Sequence, residues 1–493
     1  MTLHIANVRV LTMDGSRRTA GSVTIASGRI VAVDAPASES VAVVDGRGGV
    51  LLPGFIDPHV HLLAAAAARR SVDCSPRSVR SIAELQRRID EAAAASRDGW
   101  IRAVGYDESA LAEGRHPTRW DLDAAAADRP VRLQHRSGHA VVLNSLGLAV
   151  AGITIASDEP PGGVIDRRIT DGEPTGLLID MDAVIERAVP PLSETELVAG
   201  LRTLSDDLVR AGITAVQDMT HRNDHTRLVL LDRVVNAAAF APHTLPSATR
   251  PNIAGNGPVK LMLPEATGPD AAFAARFRHT VASAHQEGRQ VAIHTVTHAG
   301  FSLALDAIAD AFAGAPRPNH RHRIEHASIA PPPLMERTGG LGVVVVSNPI
   351  FLYESGRRYR ATVPPDQLPH LYAVGTLARS GIVTAAASDA PVVRPSPLLG
   401  VHAAMTRRDA EGAILPGDPA GLDDALAMVT RSAAYAAFAD DRFGTIAPGL
   451  PADLVLLNEM PGGTNLPSVL WTVIGGRPVY VADGAPPFPA SGH

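Results

Sequence analysis

The chain has 493 residues, 45% of them hydrophobic, with a single cysteine and 45 basic against 51 acidic side chains for a net charge of −6. That length can bury one large core plus a satellite domain, and the lone Cys74 excludes an internal disulfide. No basic block supports binding to nucleic acid or an anionic membrane, and no apolar run is long enough to span a bilayer, so a small-molecule substrate is the remaining expectation.

The opening residues, MTLHIANVRVLTMDG, alternate apolar and polar without a basic leader or a continuous apolar segment. No signal peptide is therefore expected, and the cytoplasm is the expected compartment. Runs rich in β-formers between residues 3 and 46, broken by Gly and Asp, predict a small antiparallel sheet. LLPGFIDPHVH then opens a series of short apolar runs, continued by GITAVQDMT, VKLML, QVAIHTV, HRIEHA, GVVVVSNP and GIVTAAASDAP. Ala-rich helical stretches alternate with them, which is the pattern of a parallel sheet or barrel. Ser81 and Glu84 fit a capping box for one helix, and DAAFAARFRHTVASAHQEG ends at Gly288 as a helix C-terminus should. Residues from about 100 to 190 are too many for one βα unit and read as an insertion, expected to lie over the barrel mouth. The strands in FGTIAPGLPADLVLLNEM and SVLWTVIGGRPVYVADG predict that residues 1–50 and 445–493 join in one small β-sandwich beside a central domain of residues 51–444.

The chemistry concentrates at the ends of the apolar runs. His59 and His61 are two apart, so on a strand both imidazoles face one side. The pair by itself leaves two readings open, half of a zinc shell or an incidental pair at a strand end. His294 closes QVAIH, His326 closes HRIEH and Asp389 sits in AAASDAP, each at the C-terminal end of its run, where barrel enzymes hold their active sites. Lys260 is the only lysine among the 45 basic residues. A buried lysine can act as a base, form a Schiff base or take up CO2 as a carbamate, none of which arginine does. Glu325 is expected to face away from His326 and is not nominated as an acid. His322 reads as structural, inside the barrel, and PRPNHRHR, residues 316–323, as a solvated loop.

With these residues in place the chain resembles the amidohydrolase superfamily, specifically the amidohydrolase-3 branch of N-substituted formamide deformylase-like metal-dependent hydrolases. FIDPHVH, PTRWDLDAAAADRPVRLQHRSGHAVVLNS, DGEPTGLL, AGITAVQD, HRIEHA, SDAPV and APGLPADLVLL carry the resemblance over nearly the whole length. It implies an α/β fold, a (β/α)8 TIM barrel with a small β-sandwich formed from both termini. It also implies that His59, His61, Lys260, His294, His326 and Asp389 hold one or two divalent metals, with zinc the expected ion and Lys260 present as N6-carboxylysine. A homodimer is the assembly it suggests.

The expected reaction is hydrolysis of a non-peptide C–N bond, an N-acyl, N-formyl or cyclic amide, by a metal-activated hydroxide. Asp389 would take the proton and return it to the departing amine as general acid. Mononuclear deamination of a heterocycle is the alternative, although it leaves Lys260 unexplained, and a non-catalytic ligand-binding or scaffold barrel is a third reading. Tyr106, Asp107, Arg136, His139 and His298 are the candidate substrate contacts. Two departures separate this chain from the branch: HTVTH where a Gly-Asp pair is usual, and LMLPEATG where the branch continues toward Asp-Gly.

Overall fold

The structure, a computed structural model, describes residues 2–489 apart from 17–18, 39–40, 96–98, 161, 252, 264–269 and 463–465. The chain divides into two units, Met1–Leu62 with Leu204–His493, and Leu63–Thr203. It is a mixed α/β protein.

In the first unit eight short strands, all but β3 following the expected apolar runs, are β1 (Phe55–Val60), β2 (Ile213–Asp218), β3 (His243–Leu245), β4 (Val259–Met262), β5 (Val291–Thr295), β6 (Arg323–His326), β7 (Val344–Ser347) and β8 (Thr384–Ala386). They are dominated by Val, Ile and Ala and are buried along most of their length, as parallel strands covered on both faces should be. β1, β2 and β3 pair in parallel, and β4 to β8 form a second parallel sheet in chain order. Isolated parallel bridges connect the two, Val60 with Ala390 just past β8 and Thr249 just past β3 with Val259 of β4. Ile56, Ala215, Leu245, Val344, Val346 and Ala385, from five different strands, share one hydrophobic cluster.

Intervening helices are set by their ends. Asp270 caps helix Ala271–Gln286 by accepting from the Phe273 amide, and the chain leaves it through Gly288 at φ +76°, where glycine carries no Cβ penalty. Thr297 caps helix His298–Gly314 by accepting from the Gly300 amide.

Strands from both termini meet in the same unit. One sheet runs Arg29–Val33, Val23–Ala26, Thr2–Ala6, Ala42–Asp45. The other runs Arg477–Val481, Val469–Ile474, Leu454–Leu457, Val50–Pro53, Arg9–Leu11, Thr19–Ala20. They share a core that includes Ile5, Val23, Leu51, Leu454 and Trp471. The expected antiparallel sheet is instead mixed: Thr2–Ala6 pairs in parallel with Ala42–Asp45, and Arg9–Leu11 with Val50–Pro53. These neighbours in space are distant in the chain, so no hairpin imposes antiparallel pairing.

The second unit is built on a six-stranded sheet, Val164–Arg167, Pro174–Ile179, Ala140–Leu143, Val131–His135, Ile101–Tyr106, Val72–Asp73. Helix Ile82–Ala95 packs Ile82, Leu85 and Ile89 into its core, together with Cys74. Only half of the expected capping box forms. Ser81 accepts from the Glu84 amide, while the Glu84 carboxylate reaches the Arg80 amide and not that of Ser81. Asn144 acts as a bolt, its Oδ1 accepting from Val131 and Gly147 and its Nδ2 donating to the carbonyls of Ala126 and Arg129. Among the described residues no helix is long and apolar enough to cross a membrane.

Candidate functional site

β1 delivers His59 and His61 to one place, and the turn after β8 brings Asp389 against them. Asp389 Oδ1 stands 3.0 Å from His61 Nε2 and 3.4 Å from His59 Nε2. Zinc ligands at 2.0–2.1 Å in a tetrahedron are separated by about 3.3 Å, so these spacings fit donors around one small divalent ion. The three donor atoms all lie within 4.8 Å of one another. His326 adds its ring at 5.1 Å from that of His59, and His294 lies 4.6 Å from the His326 ring. Lys260 Nζ approaches His59 Nε2 at 3.4 Å from β4. All six residues expected to converge are therefore linked through His59, Asp389 and His326.

The far nitrogens explain the orientation. His59 Nδ1 meets Glu325 Oε2 at 2.5 Å, and since the carboxylate only accepts, the imidazole donates there and keeps the Nε2 lone pair free. Asn348 donates its Nδ2 to the Ala387 carbonyl, which turns its Oδ1 toward His326 Nδ1 at 2.7 Å, so that histidine also donates from Nδ1. His61 Nδ1 bonds Thr220 Oγ1 at 3.1 Å. Anchoring the far nitrogen in this way is how metal-ligating histidines are usually held.

The electrostatics are those of a largely buried, charged pocket. Burial, then the neighbouring Lys260, push His59 down to about 3, and burial with His294 holds His326 near 4, so both imidazoles are neutral with a lone pair to give. Burial lowers Lys260 to about 8, against the opposing pull of Glu325 and Asp389, which leaves an appreciable fraction of neutral amine at physiological pH. Burial favours the neutral acid at Asp389, but the imidazoles of His59 and His61 outweigh it and keep the carboxyl well below its usual range. Asp57 is pushed up to about 6, mainly by burial, while accepting from the amides of Ser388 and His59 and so tying β1 to the turn that carries Asp389. At His326 and Asp389 the backbone takes φ of +68° and +58°. Such left-handed positions in residues other than glycine cost on the order of 1–3 kcal/mol and collect at functional sites.

Several expectations are revised here. Glu325 does not face away from the site. The alternation that predicted it requires extended backbone, and His326 at φ +68° no longer obeys it, so Glu325 and His326 both reach His59. Glu325 is fully buried and is held by Arg323, whose Nε lies 2.7 Å from Oε1 and Nη2 3.0 Å from Oε2. An Arg and a Glu two apart, and so on one face of the strand, were the sequence signal for this pair. His322 is structural as expected but not interior to the strands. It bonds His285 Nδ1 at 2.8 Å on helix Ala271–Gln286 and accepts from the Val291 amide. PRPNHRHR is a solvated loop only in part: Pro316, Pro318 and Asn319 are exposed, whereas His320, His322 and Arg323 are buried and each is partnered. Thr220 and Asn348 carried no sequence signal.

The expected substrate contacts are distributed. His298 is exposed at the first turn of its helix. In the other unit Tyr106 is buried with its hydroxyl 2.9 Å from His116 Nδ1. Asp107 caps a short 3-10 turn and pairs with Arg136 at 3.0 Å. His139 is half exposed and bonds Asp180 at 2.8 Å. Asp107, Glu108 and His135 also bring their donors within 4.8 Å of one another. There the Arg136 guanidinium compensates Asp107, and His135 lies 2.9 Å from Glu108, so the group is internally paired. Cys74 is fully buried and its thiol is pushed up to about 12, chiefly by burial, which makes it an inert packing residue. The LMLPEATG departure lies largely outside the described residues.

Comparison with known proteins decides the lineage: the Amidohydrolase family profile matches residues 42–480. The chain belongs to the amidohydrolase family. It is thereby a hydrolase of C–N bonds other than peptide bonds. This amidohydrolase is 28% identical to an N-substituted formamide deformylase of Arthrobacter pascens, over 93% of this chain and 94% of the relative. It is 27% identical to the protein LONG AFTER FAR-RED 3 of Arabidopsis thaliana, over 97% of this chain and 91% of that one. Its fold matches the crystal structure of an uncharacterized metal-dependent hydrolase from Pyrococcus horikoshii OT3, with a TM-score of 0.70 at 22% identity over 94% of this chain and 98% of that structure.

Proposed function

We propose that this amidohydrolase hydrolyses an N-acyl, N-formyl or cyclic amide of a small molecule with one or two divalent ions, zinc by ligand type, held by His59, His61, Lys260, His294, His326 and Asp389. The observation that carries the reading is the 3.0–3.4 Å convergence of His59 Nε2, His61 Nε2 and Asp389 Oδ1, with the other nitrogens of both histidines already engaged. Imidazole and carboxylate donors at these separations fit a divalent cation of this size. The proposed frame is a closed (β/α)8 barrel. It is supported by the two isolated bridges that would complete the strand circuit, and by the cluster of interior side chains drawn from five strands. The strands of residues 1–50 and 445–493 are proposed to form the flanking β-sandwich, supported by their common core.

A bound divalent ion supplies Lewis acidity toward the scissile carbonyl and a water acidic enough to ionise near neutral pH. The rest falls to the chain. Asp389, held as a carboxylate beside both imidazoles, accepts the proton of the attacking water at Oδ and returns it to the leaving nitrogen. The neutral imidazoles of His59 and His326 contribute lone pairs without adding positive charge. Lys260, buried with a lowered pKa, is proposed to carry a carbamate, which would add anionic oxygen donors to the set where an ammonium has none. Tyr106, Asp107, Arg136, His139 and His298 are carried forward as proposed substrate contacts on motif and residue chemistry alone.

The test is amine release from a panel of N-formyl, N-acyl and cyclic amides by metal-loaded protein, with Asp389→Asn beside the wild type. The expected result is turnover of at least one class and a loss of about 10²- to 10⁴-fold in the variant. No turnover across the panel, or a variant as active as wild type, would sink the reading. Ammonia release from a heterocycle in its place would favour the deaminase alternative.

A further inference from the structure

Three of the histidines at the site are anchored through Nδ1, and the anchors differ in kind: a carboxylate for His59, a hydroxyl for His61 and an amide carbonyl for His326. The carboxylate is itself built in. Both oxygens of Glu325 face Arg323, which also donates to Gln217 Oε1 at 2.6 Å and to the Pro58 carbonyl at 3.0 Å. Gln217 in turn donates to the Pro246 carbonyl at 2.9 Å. Glu325 and Arg323 are both fully buried, so neither oxygen nor guanidinium can relax into water. This chain of bonds ties β6 to β1, one residue before His59, and to β2.

We propose that Glu325 is the positioning residue that sets the metal affinity of the site, acting through His59. A carboxylate accepting from Nδ1 fixes the tautomer, holds the ring plane and makes Nε2 a stronger donor than a hydroxyl or amide acceptor would. His59 is central to the cluster, within 3.4 Å of both Lys260 Nζ and Asp389 Oδ1, so an error in its ring plane reaches both of them. Thr220 and Asn348 have weaker acceptors and matter less. The inference rests on the metal reading above and adds to it a ranking of the three anchors.

The ranking is tested by competition of zinc between a chromogenic chelator and the full-length protein, wild type against Glu325→Gln, Thr220→Val and Asn348→Ala, with circular dichroism reporting the fold. Glu325→Gln is expected to weaken zinc binding by about 10- to 100-fold. The other two are expected to weaken it less, and the visible bands of the cobalt(II)-loaded protein to shift most in Glu325→Gln. Wild type that binds zinc while Glu325→Gln binds as tightly, or less weakened than Thr220→Val or Asn348→Ala, overturns this inference alone. Wild type that takes up no zinc overturns the metal reading and this inference with it. Should Glu325→Gln fail to fold because Arg323 is left unpaired, the double variant Arg323→Gln with Glu325→Gln replaces it. The same loss is then expected, and an unchanged affinity overturns the proposal.

Discussion

At the scale of single residues, the chain uses buried histidine for two unlike purposes. Around Asp389, His59, His61 and His326 are anchored through Nδ1, and the Nε2 atoms of His59 and His61 are turned toward Asp389, an arrangement that suits ligands. His285, His320 and His322 spend their nitrogens on each other and on backbone groups, with His320 accepting from the His322 amide and donating to the Leu341 carbonyl. Burial lowers His320 to about 4 and His322 to about 2, with Arg317 nearby opposing protonation further. The sign follows directly. The unfolded chain takes up these protons near pH 6.5 and the folded one only well below, so stability is full above about 6.5 and declines as the pH falls toward 4. The melting temperature is therefore expected to drop across that interval, and His322→Gln to flatten the drop whatever it does to stability at pH 7.5. A slope unchanged by the substitution would remove these histidines from the account. Residue type and strand-end position marked His59, His61, His294, His326 and Asp389 in the sequence, its being the only lysine marked Lys260, and the family resemblance grouped the six. Sequence could not separate His322 from a ligand except by depth, and it lost Glu325 because the positive φ at His326 is invisible in a pattern of residue types.

At the scale of elements, strand β1, which carries His59, depends on how closely it approaches β2. A Cβ on Gly54 would sit 2.2 Å from Thr214 Oγ1 and 2.3 Å from its Cγ2, a contact no rotamer of this β-branched side chain relieves on both sides. Gly54→Ala is expected to cost about 1–3 kcal/mol by overpacking and to lower zinc occupancy through the shift of β1. Chemical denaturation beside metal analysis would measure both, and a variant as stable and as loaded as wild type would contradict the argument. The repeated βα spacing and the helix end at Gly288 were legible because apolar period and turn chemistry are local. The parallel pairing of Thr2–Ala6 with Ala42–Asp45 was not, since nothing in either strand encodes which neighbour it will find.

At the scale of the whole molecule, the chain places its two ends in one structure and its long insert in another. Leu63–Thr203 follows directly on the His59–His61 pair, while the other expected ligands come from the chain beyond it. The terminal sheets lean on Trp471, which is fully buried, donates its indole N–H to the Pro486 carbonyl at 2.6 Å and packs edge-on to Phe488 at 5.2 Å. Trp471→Ala is expected to cost about 3–5 kcal/mol, read from the denaturation midpoint, and a loss under about 1 kcal/mol would mean that these sheets do not act as one core. Everything functional nonetheless turns on whether the convergence of His59, His61, Lys260, His294, His326 and Asp389 is a metal centre. Elemental analysis of protein purified without chelator, for wild type and Lys260→Ala, tests that most directly. About two divalent ions per chain in the wild type, reduced to one or none in the variant, is the result predicted for a bridging carbamate on Lys260. A correctly folded wild type that holds no divalent metal, even after incubation with zinc, would contradict it.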